Sequence, residues 1–224
     1  MSDQIVLVHT IYSLVSLFNQ LTSDILPGIK VNHIVDEPLL ESIRQRGGLT
    51  SSDAARVWDH VKIAEDIHAR AVLVTCSTLS PVLDNLRPLT ALPLVKIDEA
   101  MIEAAMQAGR RLGVLATNSL ALDTIQRNLQ DCITRSGKDI TCEYRLVDQA
   151  FPALLNGNFE EHDRTVKKAV LDLIPTVNAV ILAQASLARV LDIIPDAERP
   201  VPIISSPRLA LEQVKKMLYK VGWG

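Results

Sequence analysis

The chain has 224 residues, 48% of them hydrophobic, 22% charged and 4% aromatic, which excludes a disordered chain and leaves enough apolar side chain for one large domain or two small lobes. Lys plus Arg number 23 against 26 Asp plus Glu, a net charge of −3; with no basic cluster beyond the pairs Arg110-Arg111 and Lys167-Lys168, no nucleic acid is expected as a partner. The start lacks a signal peptide's basic residues, no apolar run approaches the ~20 residues of a membrane span, and three cysteines (76, 132 and 142) show no CxxC spacing, so a cytoplasmic chain without membrane partner, disulfide framework or metal site is expected.

Short β-type runs alternate with helical patterns along the chain. Ile5-Val6-Leu7-Val8 reads as a buried strand, and Leu14, Leu17, Phe18 and Leu21 follow at helical spacing until Pro27-Gly28. Val31 to Val35 is a second strand. Thr50-Ser51-Ser52-Asp53 offers cap residues for a helix with Val57, Trp58, Val61, Ala64 and Ile67 on one face. Ala71 to Thr75 and Pro93 to Ile97 are the third and fourth strands. The rhythm then restarts: strands at 111–117, 144–147, 179–182 and 201–204 alternate with helices marked by Leu120, Leu122, Ile125 and Leu129, and by Val166, Ala169, Val170 and Leu173. Leu209, Val214, Met217, Leu218 and Val221 make a terminal helix. A β-α rhythm of this kind predicts an α/β fold with parallel sheets flanked by helices.

The halves superpose as sequence. His9-Thr10 falls on Ala116-Thr117 (offset 107), Asp36 on Asp148 (112), Gly47 on Gly157 (110), AVLVTCSTL at 71–79 on AVILAQASL at 179–187 (108), and Asp98 on Ser206 (108). A tandem duplication with two pseudo-symmetric lobes is the expectation. Ligands of parallel sheets sit beyond the carboxyl ends of the strands, so positions 76 and 184 would face one another across a cleft.

Cys76 is the leading chemical candidate. It ends an apolar strand and precedes Ser77, Thr78 and Ser80-Pro81, a cap followed by a first-turn proline. A thiol at a helix amino terminus has its thiolate favoured by unpaired N–H groups, and a pKa lowered from ~8.5 toward 7 corresponds to about 2 kcal/mol. A small buried core thiol is the competing assignment. Asp36 and Asp98 end strands and read as caps or surface carboxylates. Gly47-Gly48 is a turn, since neither GxxxxGK[ST] nor GxGxxG occurs. Cys132 and Cys142 read as incidental thiols, His33, His60, His68 and His162 as scattered residues without ligand spacing, and Trp58 as a packing residue.

VTCSTLSP resembles the first cysteine loop of the aspartate/glutamate racemase superfamily, which includes hydantoin racemases, maleate isomerases and arylmalonate decarboxylases. HT at 9–10, VDEPLL at 35–40, KIDEAM at 96–101, RLGVLAT at 111–117, ILAQASLAR at 181–189 and ISSPRLA at 204–210 extend the resemblance over nearly the whole chain. It implies two α/β lobes (1–96 plus 208–224, and 97–207), a small carboxylate substrate, no metal or organic cofactor, and often a homodimer. In the racemases two cysteines face the substrate α-carbon. Cys76 matches the first; Gln184 stands where the second belongs.

An amide does not titrate, so Gln184 cannot be the second acid or base, though it can donate hydrogen bonds to a carboxylate or enediolate oxygen. Three routes stay open: Cys76 as a lone acid in a decarboxylase or one-face isomerase, Cys76 as a nucleophile toward an unsaturated acid, or a second proton from another group such as His9. Thr10, Ser77, Thr78, Thr117, Asn118, Gln184 and Ser186 are expected, with His9, to contact substrate. Capping is the competing role for each hydroxyl. A degenerate small-acid-binding module is the reading from outside enzymology.

Overall fold

The computed structural model describes residues 3–220; Val221, expected in the terminal helix, lies outside them. Two compact units share the chain: residues 1–99 with 207–224, and residues 100–206.

In the first unit β1 (Gln4–His9) is followed by α1 (Leu14–Ile25), β2 (Lys30–Val35), α2 (Glu37–Arg46), α3 (Ser51–Asp66), β3 (Val72–Val74), α4 (Ser80–Leu86) and β4 (Leu94–Lys96). The sheet order is β2-β1-β3-β4, all parallel. Parallel neighbours need crossovers, which the helices supply. From Ile5 onward β1 is buried, as a central strand covered on both faces must be. Its register runs Gln4↔Lys30 to His9↔Val35 on one side and Val6↔Val72 to Val8↔Val74 on the other.

The helix starts are chemically specified. Asp36 caps α2 by accepting from Leu39 N–H at 3.2 Å. Thr50 and Asp53 form a reciprocal capping box on α3. Gly47 closes α2 at φ +76, a conformation that costs an L residue about 1–2 kcal/mol. The sequence reading placed no helix at α2; only Leu39 and Ile43 of it are fully buried, too few to print a periodic stripe.

At the end of α3 a histidine, not a glycine, takes the left-handed position. His68 has φ +55; its N–H meets Glu65 O at 2.8 Å and Ala69 N–H meets Ala64 O at 2.9 Å. His68→Gly relieves the Cβ clash while keeping both bonds. An increase of about 0.5–1 kcal/mol in unfolding free energy is expected, read as a melting temperature higher by ~1–3 °C. His68→Ala, which keeps the clash, should give no gain.

In the second unit, α5 (Glu99–Ala108) leads into β5 (Arg111–Ala116), α6 (Ser119–Ser136), β6 (Thr141–Leu146), α7 (Ala150–Leu155), α8 (Phe159–Leu173), β7 (Ala179–Leu182) and β8 (Ile203–Ser205); α9 (Ser206–Lys220) then belongs to the first unit. The order β6-β5-β7-β8 repeats the first sheet, again all parallel. Gly157 stands at φ +73, matching Gly47. Val166, Val170 and Leu173 of α8 pack with Leu115, Val180, Leu182, Leu187 and Val190 in one core. Strand β6 begins at Thr141 rather than Tyr144, its alternation hidden by the polar run Thr-Cys-Glu-Tyr-Arg-Leu. Strands β4 and β8 start just after Pro93 and Pro202, which lack an N–H and contribute only carbonyls, to Val72 and Val180.

Candidate active site

Strand β3 delivers Cys76 in extended conformation (φ −115, ψ 110) to a 3-10 turn, Ser77–Leu79, that runs into α4. The Cys76 side chain caps nothing. Donor groups of Thr10, Thr78 and Leu79 lie near its sulfur and favour its thiolate, while the Leu79 N–H itself bonds the Cys76 carbonyl at 3.0 Å. Thr10 comes from the end of β1, the strand beside β3, so two adjacent strand ends build the thiol's surroundings. Cys76 is 9% exposed, Thr10 4% and Thr78 6%, while Ser77 is half-buried.

Two expectations about this loop are corrected. Burial pushes the Cys76 thiol up, and the donor groups of Thr10, Thr78 and Leu79, which pull the other way, do not offset it. The expected low thiol pKa counted donors but not desolvation; in this state Cys76 is a protonated thiol at neutral pH. Ser80 is not the helix cap either. It is the first residue of α4, and its hydroxyl donates to Asp98 Oδ1 at 2.6 Å, both residues 1% exposed. This bond ties the cysteine loop to the end of β4.

His9, expected to contact substrate, is packed inside the first unit. It is the last residue of the central strand and fully buried. Nδ1 lies 2.8 Å from Thr75 Oγ1, and Nε2 lies 2.8 Å from His33 Nδ1, whose own Nε2 meets Asn19 Oδ1 at 2.9 Å. Both ring nitrogens are thus occupied. Desolvation and then repulsion from His33 lower its pKa to about 3, so it is a neutral structural imidazole and no source of the second proton. It clamps β1 to β3 one residue before Thr10 and Cys76.

Gln184 ends the corresponding segment of the second unit. Its Oε1 accepts from Thr117 N–H at 2.7 Å and from Thr117 Oγ1 at 3.1 Å. A backbone N–H can only donate, so this contact fixes the amide's orientation and points its NH2 away from Thr117. Thr117, 1% exposed, therefore holds Gln184 as Thr10 holds Cys76. Asn118 caps α6 by accepting from Ala121 N–H at 2.8 Å, so its carbonyl is committed to the helix. Ser186 lies in the 3-10 segment Ala185–Asp192. It is 8% exposed and its hydroxyl has no partner, which excludes a capping role for it.

A polar cluster that the sequence reading did not single out lies in the same unit. His162 is fully buried on α8, with Nδ1 2.7 Å from Asp163 Oδ1 and Nε2 unpartnered. Arg189 Nε donates to both Asp163 oxygens at 2.9 Å, and its guanidinium lies 4.4 Å over the Phe159 ring. The available signal was phase: continuing the stripe Leu173, Val170, Ala169 and Val166 back one turn lands on His162 and Asp163. Asp36, by contrast, is consumed structurally, accepting from Arg56 and His60 besides capping α2.

The chain matches the family described as Asp/Glu/Hydantoin racemase over residues 12–214. No curated protein is matched by sequence. Among solved structures it resembles glutamate racemase isoform RacE1 from Bacillus anthracis at 18% identity, with 98% of this chain and 83% of that one covered and a TM-score of 0.74. Aspartate racemase from Picrophilus torridus is similar at 12% identity, 96% and 94% coverage and TM-score 0.74. Allantoin racemase from Klebsiella pneumoniae is similar at 15% identity, 98% and 89% coverage and TM-score 0.70.

Proposed function

Because the chain belongs to the Asp/Glu/Hydantoin racemase family, we propose that it is a cytoplasmic racemase- or isomerase-type enzyme working at the α-carbon of a small carboxylate or amino acid, with Cys76 as acid/base. The observation that carries this reading is the set of donors on one sulfur. A neutral thiol is a weak acceptor, yet donor groups of Thr10, Thr78 and Leu79 gather near it and favour its thiolate. Donors fixed where negative charge will appear are the mark of a preorganised site, and each commonly contributes ~3 kcal/mol when the charge develops. The chemistry uses side chains alone: a protonated Cys76 delivers a proton to an enediolate, and its thiolate removes one from the α-carbon. Ser77 would donate to an anionic oxygen of the substrate, and in the second unit the Thr117 lock leaves the Gln184 NH2 as a free donor for an anionic group.

A second reading is favoured by Gln184 itself. With no titrating group at the second cysteine position, a one-face reaction (decarboxylation, or cis–trans isomerisation of a dicarboxylate) needs only Cys76. Incubation in D2O with enantiopure α-amino acids, hydantoins and small dicarboxylic acids, followed by NMR of the α-proton, separates the two. Racemisation places deuterium in both enantiomers; a one-face enzyme labels one. No exchange or turnover with any acid, together with undiminished ligand affinity in Cys76→Ala, would establish a binding module instead.

A further inference from the structure

We propose that His33, His9 and Thr75 form a proton-linked switch inside the first unit. Protonation of His33 changes the buried His9 ring from its Nε2–H to its Nδ1–H form and turns the Thr75 hydroxyl from His9 to the Val8 carbonyl, one residue before Cys76. The switch is independent of the reaction proposed above and of the acid the enzyme takes.

The four groups form one hydrogen-bonded chain. Asn19 Oδ1 lies 2.9 Å from His33 Nε2, His33 Nδ1 lies 2.8 Å from His9 Nε2, and His9 Nδ1 lies 2.8 Å from Thr75 Oγ1, which is also 3.1 Å from Val8 O. Asn19 is exposed and His33 half-buried, whereas His9, Thr75 and Val8 are buried. The chain thus runs from solvent into the sheet.

Donor counting fixes its direction. A carbonyl oxygen only accepts, so His33 Nε2 carries a proton toward Asn19. In neutral His33 the other nitrogen, Nδ1, is then an acceptor, and His9 must donate to it from Nε2. His9 is neutral, so its Nδ1 accepts in turn, and the single hydroxyl proton of Thr75 is given to it. When His33 is charged, both its nitrogens donate. Two N–H groups cannot share a 2.8 Å contact, so the His9 proton must sit on Nδ1, where Thr75 accepts it and donates to Val8 O. Every contact is satisfied in both states, with the direction reversed. One solvent proton is gained: the Nε2–H bond of His9 breaks, the Nδ1–H bonds of His33 and His9 form, and the Thr75 O–H bond stays intact.

The second unit shows that the fold does not demand this chain. There the same strand-end backbone bond, Thr75 N–H to Val8 O at 2.9 Å, is made by Ala183 N–H to Leu115 O at 2.9 Å. Alanines 116 and 183 stand where the first unit has His9 and Thr75. The polar chain occurs only in the unit that carries the thiol. Side chains alternate along extended backbone, so His9 and Thr75 meet on one side of the two strand ends, and Thr10 and Cys76 on the other.

The surrounding charges leave His33 to solvent and His9. Helix α1 carries only Asp24 and β2 otherwise only Lys30, both exposed; β3 carries none. On α3, Arg56 and His60 are held by Asp36, and Glu37 of α2 accepts from Tyr12 N–H.

The test is long-range proton–nitrogen NMR of the histidine rings in the full chain, from pH 7.5 down to pH 4. At pH 7.5 His9 is expected with its proton on Nε2. As His33 charges, on the acid side of 6.5 because burial lowers its pKa, the nitrogen shifts of the two His9 ring positions should exchange places with the same midpoint. The ring itself should stay neutral, since its own pKa is about 3. In His33→Gln, which still offers a donor and an acceptor but does not titrate, His9 should keep one tautomer throughout. A single His9 tautomer through the His33 transition overturns the proposal in the wild type alone. So does a proton on Nδ1 already at pH 7.5, joint charging of both rings, or an exchange that persists in His33→Gln. None of these outcomes touches the assignment of Cys76.

Discussion

Replacing Cys76 with alanine is expected to lower turnover by about 10³–10⁴-fold, the usual contribution of a positioned acid/base. Cys76→Ser should be nearly as inactive, because a hydroxyl in the same place ionises far less readily than a thiol. The stability cost should stay below about 1.5 kcal/mol, since only one sulfur is removed from a site with little volume. Cys132→Ala and Cys142→Ala, in α6 and β6, should keep full activity. The pH dependence has a definite sign. Burial raises the thiol pKa, so the folded protein holds this proton more tightly than the unfolded chain. The resulting stability is complete below the unfolded thiol's pKa and is lost as pH rises through the folded value. Steady-state kinetics with the acid found by α-proton exchange, and urea unfolding between pH 7 and 10, check both; an active Cys76→Ala enzyme would sink the assignment.

Acidification should destabilise the first unit well before its carboxylates titrate. His9 is buried and neutral with its pKa lowered to about 3, and His33 beside it is lowered by burial too. The unfolded chain binds these protons near pH 6.5 and the folded chain does not. Stability is therefore fully present above pH 6.5 and declines as pH falls toward 3. A single such histidine contributes a slope approaching 1.4 kcal/mol per pH unit and on the order of 5 kcal/mol in all. Asp36, Asp53 and Glu99 have their pKa values lowered as well, but carboxylates add their slope at the acid end. The window from 6.5 to 4.5 thus belongs to the histidines. Urea titrations across it should show a shallower slope in His9→Gln, which keeps polar groups but cannot charge. Identical slopes in the two proteins would refute the buried-neutral assignment. His9→Gln should also lose activity moderately, because the clamp to Thr75 precedes Cys76 by one residue.

The fold was legible because its signals are local. Four-residue apolar runs such as Ile5–Val8 and Ala179–Leu182 can be little but buried strands between helical patterns, and their recurrence at offsets near 108 exposed the repeated sheet order. Helix α2 escaped because two buried side chains make no periodic stripe. Strand β6 was read short because its edge position leaves it half-polar. The site was legible only in outline. Cys76 at a strand end is a local fact, whereas its protonation depends on how completely Thr10, Thr78 and Leu79 cover it. His9 looked like a loop histidine because its partners, His33 and Thr75, lie 24 and 66 positions away. His162 and Asp163 were passed over because adjacent residues have no ligand spacing; only their place on the apolar face of α8 sets them apart.

The most direct test of Cys76 as the acid/base is to follow residual activity against alkylation of each cysteine by iodoacetamide, mapped by peptide mass spectrometry. Activity should fall in proportion to modification at Cys76 alone, with a rate that climbs through the alkaline range as the covered thiol ionises, while carbamidomethylation of Cys132 and Cys142 leaves turnover intact. Full modification of Cys76 with undiminished turnover would contradict the account.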